Sequence, residues 1–172
     1  KRKFKSNDSV RIEPVALGAE ESVSHIWKSD VRNQLSSMSK EWISAVKNSG
    51  RFQYFEWSST QAVNVTTLDI LINRHGAPSF CKIDTEGYEP EVIKGLTRPI
   101  RVISFEYHME FMDSAIGSVE RISSLGNYEF NYTVGEQPYF TGVAWHEPES
   151  LVSAISSKNS SSLNGDIYAR LT

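Results

Sequence analysis

The hydrophobic pattern of this chain has two regimes. In the first, alternation in Val10–Leu17 (VRIEPVAL) predicts a strand, with Pro14 confining it to an edge or a bend. Ser22–Trp27 is a second, weaker strand. From Asp30 to Gly50 the apolar residues Leu35, Met38, Trp42 and Val46 recur at three- and four-residue steps, which predicts a helix stopped by the glycine. Phe52–Trp57 and Ala62–Val65 read as two strands joined into a hairpin by a polar turn. Leu68–Arg74 then forms a short helix, capped by Thr66 or Thr67 and closed by Gly76.

Beyond this point strands and helices alternate. Ser79–Ile83 is a short apolar strand carrying one lysine, followed by a helix over Glu89–Leu96. Ile100–Tyr107 (IRVISFEY) is the clearest strand of the sequence. A helix over Ser118–Leu125 ends at Gly126, strands follow at Tyr128–Val134 and Gly142–His146, and Pro148–Ser156 makes the last helix. Ile167–Leu171 closes the chain, after a Ser/Asn-rich loop over 156–164. Strands separated by helices of this size predict an α/β domain with a mostly parallel sheet and helices on both faces. There is no internal repeat, and residues 1–172 read as one domain.

Composition narrows the function classes. A chain of 172 residues with 39% hydrophobic and 23% charged residues has the make-up of a folded domain. A net charge of −3, with KRKFK at the start as the one basic run, gives no nucleic-acid footprint. The single cysteine, Cys81, excludes an internal disulfide and reads as a small core residue. No apolar run is long enough for a membrane span. Sequons such as those at Asn64, Asn131 and Asn159 do not decide a compartment.

The stretch Phe80–Gly95, FCKIDTEGYEPEVIKG, crowds Asp84, Glu86, Glu89 and Glu91 at the end of an apolar run. Ligands of parallel α/β sheets bind outside the carboxyl ends of the strands. Glu91, and in part Glu89, suit the first turn of a helix, where negative charge is favoured. Asp84 and Glu86 are not explained in that way. At a strand end they suit cofactor hydroxyls, a general base or a hard cation. Glu106 and His108, two residues apart at the end of the next strand, share one face and point to the same crevice. His108 has the intrinsic pKa of a base near neutrality. Lys82, inside a strand, needs a carboxylate partner, and Glu106 is the expected one. Phosphate-cradling, zinc-hydrolase and serine-nucleophile motifs are absent.

The block VTTLDILINRHGAPSFCKIDTEGYEPEVIKGL, followed by IRVISFEYH, resembles the FkbM-type family of S-adenosylmethionine-dependent methyltransferases. The elements that carry the likeness are Thr67-Leu68-Asp69, Lys82-Ile83-Asp84, Glu86-Gly87, Glu89 and Lys94-Gly95. VALGAEES upstream and NGDIYARL at the end extend it from about Val10 to Leu171. The resemblance implies a Rossmann-like class I methyltransferase fold whose last strand is antiparallel. It implies methyl transfer from S-adenosylmethionine, usually to a hydroxyl oxygen of a sugar or small molecule, which requires an aligned acceptor and a base. Asp84, Glu86 and His108 are then the catalytic candidates. Ala16, Leu17 and Asp84 border the cofactor, Glu89, Glu106 and His108 meet the acceptor, and no metal is assigned.

The likeness has a gap. The family's opening strand, its glycine-rich turn of the form D-x-G-A-N-x-G and the second strand ending in a ribose-binding acid have no counterpart here. Glu13 stands as an alternative for that acid, although VALG directly after it fits the next strand better. The chain therefore reads as roughly the C-terminal two-thirds of the family domain, and these residues alone are expected to bind the cofactor weakly. A non-catalytic methyltransferase-like domain that binds glycans or partners is the competing reading. A metal-dependent hydrolase using the same acids is the third.

Overall fold

The computed structural model describes residues 9–157 and 164–172; the KRKFK run, the Asn159 sequon and most of the Ser/Asn-rich loop lie outside them. The described chain forms two sheets and five α-helices. In the first sheet β3 (Ser59–Thr66) is central, parallel to β1 (Ala16–Leu17) and antiparallel to β2 (Ser22–Lys28). In the second the order is β4 (Cys81–Ile83), β5 (Val102–His108), β7 (Asn164–Leu171), β6 (Tyr128–Tyr132). Only β4 and β5 pair in parallel; β7 is antiparallel to both of its neighbours.

The expected mostly parallel sheet is thus corrected to two mixed sheets. The reason is insertion. β5 and β6, linked through α4 (Met112–Ser123), run in the same direction, but the final strand enters between them. Strand–helix alternation reports strand direction and says nothing of which strands are neighbours.

Three further expectations fail locally. The strand Phe52–Trp57 is a turn followed by irregular chain, and β3 pairs instead with β2, from Ser22↔Val65 to Lys28↔Ser59. The long helix from Asp30 is a single 3₁₀ turn at Asn33–Leu35 followed by α1 (Lys40–Asn48). Ser37 exchanges backbone hydrogen bonds with Trp27, which removes it from any helix, and the Ser39 side chain caps α1 by accepting from Trp42 N at 3.0 Å. Gly142–His146 contributes one bridge, Phe130↔His146, and no strand. The strand expected over Val10–Leu17 is confined to Ala16–Leu17, and the helix expected over Ser118–Leu125 begins earlier, at Met112, and ends at Ser123. Other helices lie where expected. α2 (Leu68–His75) is capped by Thr67 and followed by Gly76, α3 covers Glu89–Lys94, and α5 covers Pro148–Ser156.

The core lies on one face of the second sheet. Ile103, Phe105 and Tyr107 of β5 join Ile167 and Ala169 of β7 and pack against Val92 and Ile93 of α3, Val119 and Ile122 of α4, and Leu151 and Ile155 of α5. Cys81 is half-buried against this core, and burial pushes its thiol pKa up. Asn131 is buried, its side chain donating to the Gly142 carbonyl and accepting from Tyr132 N, so that sequon is closed in the folded chain. No helix among the described residues is long and apolar enough to cross a membrane.

Candidate functional site

Alternation along β5 sends Ser104, Glu106 and His108 to the face opposite the core. In register with them stand Lys82 of β4 and Tyr168, Asp166 and Asn164 of β7. This polar face ends, at the carboxyl edge of β4 and β5, in the candidate site.

The first wall is the turn after β4. Glu86 has φ of +52° and Gly87 of +85°. A non-glycine residue in the left-handed region costs on the order of 1–3 kcal/mol unless its surroundings enforce it. Here they do. The Ser37 hydroxyl donates to the Glu86 carbonyl at 2.6 Å, and the Trp42 side chain lies so close that a Cβ on Gly87 would sit 2.3 Å from it. The backbone is bent at Glu86 so that its carboxylate turns inward, with 16% of the side chain left exposed. Glu89, beneath the turn, is buried and accepts from Thr85 N at 2.8 Å and Thr85 Oγ1 at 3.1 Å. It acts as a strut of the turn. The motif residues Thr67 and Asp69 are likewise structural: Thr67 caps α2, and Asp69 binds the Thr97 amide and hydroxyl.

Glu106 and His108 form the second wall. Glu106 Oε1 accepts from Asn164 Nδ2 at 2.9 Å. His108 is 3% exposed, with its ring edgewise on Trp42 at a centroid distance of 5.4 Å. Its Nε2 lies 3.2 Å from Glu106 Oε2 and 4.0 Å from Glu86 Oε2, yet in hydrogen-bond alignment with neither. Its Nδ1 is 3.1 Å from the Arg51 guanidinium, which also reaches Glu110 Oε1 at 3.3 Å. Sequence reasoning missed Arg51. It follows a helix-stopping glycine in an irregular segment, where no periodicity marks a residue for a site.

The carboxylates are driven apart electrostatically. Burial, then the charges of Glu106, Asp84 and Glu89, push Glu86 up to about 8 from an ordinary 4.5. For Glu106 burial also acts upward, but His108, Asn164 and Lys82 outweigh it and hold the group below its ordinary value. Asp84, with 53% of its side chain exposed, is raised by burial and by Glu106. Two neighbouring acids moved in opposite directions are the pattern of acid/base sites. The expected Lys82–Glu106 pair is not formed. Lys82 bonds Asp166, which β7 brings opposite Glu106, and lies 3.8 Å from Asp84. The sequence gives no sign of this partner, because it belongs to the inserted strand.

Beside the acids opens a cavity of about 440 Å³, lined by Ala16, Leu17, Ile26, Met38, Asp84 and Tyr88 among others. That volume is in the range of small-molecule sites. All three residues assigned to the cofactor thus meet in one cavity. Glu13 also lines it, with its carboxylate bonded to His75 and Arg74.

Although no metal was assigned from the sequence, Glu86, Glu106 and His108 offer ligand atoms all within 4.8 Å of one another. The donor set would suit a divalent cation. The second contact of the histidine does not. A ligating imidazole gives its other N–H to an acceptor, whereas Nδ1 here faces an arginine, which can only donate.

A family model described as the Methyltransferase FkbM domain matches residues 1–132. The chain belongs to the FkbM methyltransferase domain family. No curated protein and no solved structure matches it.

Proposed function

We propose that this protein is an S-adenosylmethionine-dependent O-methyltransferase whose acceptor is a hydroxyl of a sugar or another small molecule. The observation that carries the reading is the convergence of Glu86, Glu106 and His108 within 4.8 Å, with Glu86 next along the chain to Asp84 and Thr85, which line the cavity. The cavity fits the cofactor chemically: Leu17, Ile26 and Met38 suit a flat purine, and Asp84 suits ribose hydroxyls or a cation. When bound, the cofactor supplies an electrophilic methyl group on a positively charged sulfur. Everything else falls to the chain. Glu86, with a pKa near 8, takes the acceptor proton close to physiological pH, where a base is most effective. Glu106, which accepts from Asn164 and whose pKa stays below its ordinary value, keeps that proton from being shared onward. Asp84 lines the cavity, and its acidic side chain favours a cationic occupant. Trp42 and the Ser37 hydroxyl hold the turn so that Glu86 stays aimed inward.

The test is transfer of labelled methyl from S-adenosylmethionine by the full-length protein to a panel of glycans and small alcohols. Alanine at Asp84, Glu86 and His108 should each lower the rate at least tenfold. Unchanged rates in all three remove the site, and a full-length protein that binds glycans without methylating any member of the panel supports a non-catalytic domain instead.

A further inference from the structure

We infer that Arg51 is a positioning residue that locks His108 in its Nε2–H tautomer, so that the histidine serves the site as a hydrogen-bond donor, and that the site thereby selects a neutral hydroxyl as acceptor. The guanidinium carries donors only. With its nitrogen 3.1 Å from Nδ1, that ring atom is the acceptor, and the proton of the neutral imidazole resides on Nε2. Arg51 is itself held, by Glu110 Oε1 at 3.3 Å and by the ring of Phe52 at 5.0 Å. The histidine ring is fixed from its other side by Trp42.

The consequence lies at Nε2. This N–H is buried; its nearest acceptor, Glu106 Oε2, lies 3.2 Å away and out of hydrogen-bond alignment, and Glu86 Oε2 lies at 4.0 Å. A buried donor whose neighbouring carboxylate is out of alignment leaves room for a better-placed acceptor between them. An oxygen seated there accepts from Nε2–H and gives its own proton to a carboxylate. One neutral atom does both in a hydroxyl. An ammonium has no lone pair to offer Nε2–H, and a carboxylate has no proton to give and is repelled by Glu86 and Glu106. The same tautomer works against a metal at this cluster, because the lone pair a cation needs is occupied by a proton.

The role in methyl transfer rests on the function proposed above; the tautomer does not. Nitrogen NMR of the full-length protein with isotope-labelled histidine reads it directly, with the His108 signal assigned by its loss in His108→Gln. The expected spectrum has a protonated Nε2 and an unprotonated Nδ1. Arg51→Met should release the ring to a mixture of tautomers and lower kcat for the hydroxyl acceptor at least tenfold, with KM for S-adenosylmethionine unchanged. Arg51→Lys, which keeps a donor, should restore the Nε2–H form. A protonated Nδ1 in the wild type, a ring unaffected by Arg51→Met, or ring nitrogens shifted by stoichiometric zinc overturns the inference. A protonated Nε2 in a protein that methylates no hydroxyl leaves the tautomer standing and overturns the function alone.

Discussion

Replacing Glu86 by glutamine isolates the energetic consequence of burying that carboxyl group. The side chains are nearly isosteric, so the left-handed backbone, the Ser37 contact and the packing on Trp42 are retained. What changes is titration. In the unfolded chain the group titrates near 4.5, and in the folded protein at about 8. Below 4.5 it is neutral in both states and makes no difference to stability. As pH rises through 4.5 the unfolded chain ionises first, so stability is progressively lost until the folded group follows at about 8. At about 1.36 kcal/mol per pH unit of separation, the full penalty is roughly 4–5 kcal/mol as an upper bound. Glu86→Gln should therefore lie within about 1 kcal/mol of the wild type at pH 5 and exceed it by several kcal/mol at pH 9. For a chain of this size that is a Tm difference on the order of 10 °C. Thermal and urea unfolding followed by circular dichroism at both pH values measures it. A stability difference that is the same at pH 5 and pH 9 refutes the burial argument.

Other substitutions separate the struts of the turn from its working group. Gly87→Ala combines a positive φ with a Cβ placed 2.3 Å from Trp42; it should destabilise the protein by about 3 kcal/mol or more, seen as an earlier urea midpoint. Glu89→Ala strips Thr85 of its acceptor inside the protein and should cost roughly 1–3 kcal/mol. Glu89→Gln keeps an oxygen for both donors and should leave stability and acceptor KM near wild type; a raised KM without lost stability would return Glu89 to the substrate.

Which parts of this account were legible in the sequence follows from the range of the interactions. The carboxyl-edge acids were visible because a strand's alternation and abrupt end are local. Period-two spacing put Glu106 and His108 on one face, and that is where they stand. Thr67 and Gly76 delimited α2 for the same reason. Long-range pairing was hidden. Nothing around Asn164 or Asp166 announces that β7 enters beside β5, and this entry turns a parallel sheet into a mixed one, takes Lys82 from Glu106 and brings Asn164 to it. The Asp30–Gly50 helix failed because the serines at 36, 37 and 39 bond the backbone locally and with Trp27, outweighing a helical spacing of apolar residues. Arg51 stands in an irregular turn, and only the fold carries it to His108, 57 residues further on.

The central claim is that Glu86 receives the acceptor's proton. The pH dependence of methyl transfer by the full-length protein tests it most directly, with wild type and Glu86→Gln compared at saturating S-adenosylmethionine. Ionised Glu86 is the active form, so kcat/KM for the hydroxyl acceptor should rise with pH to a plateau, with a midpoint near 8. Glu86→Gln should be at least a hundredfold slower and lack that rise. An unchanged profile in Glu86→Gln, with the same midpoint and a comparable plateau, would contradict the account.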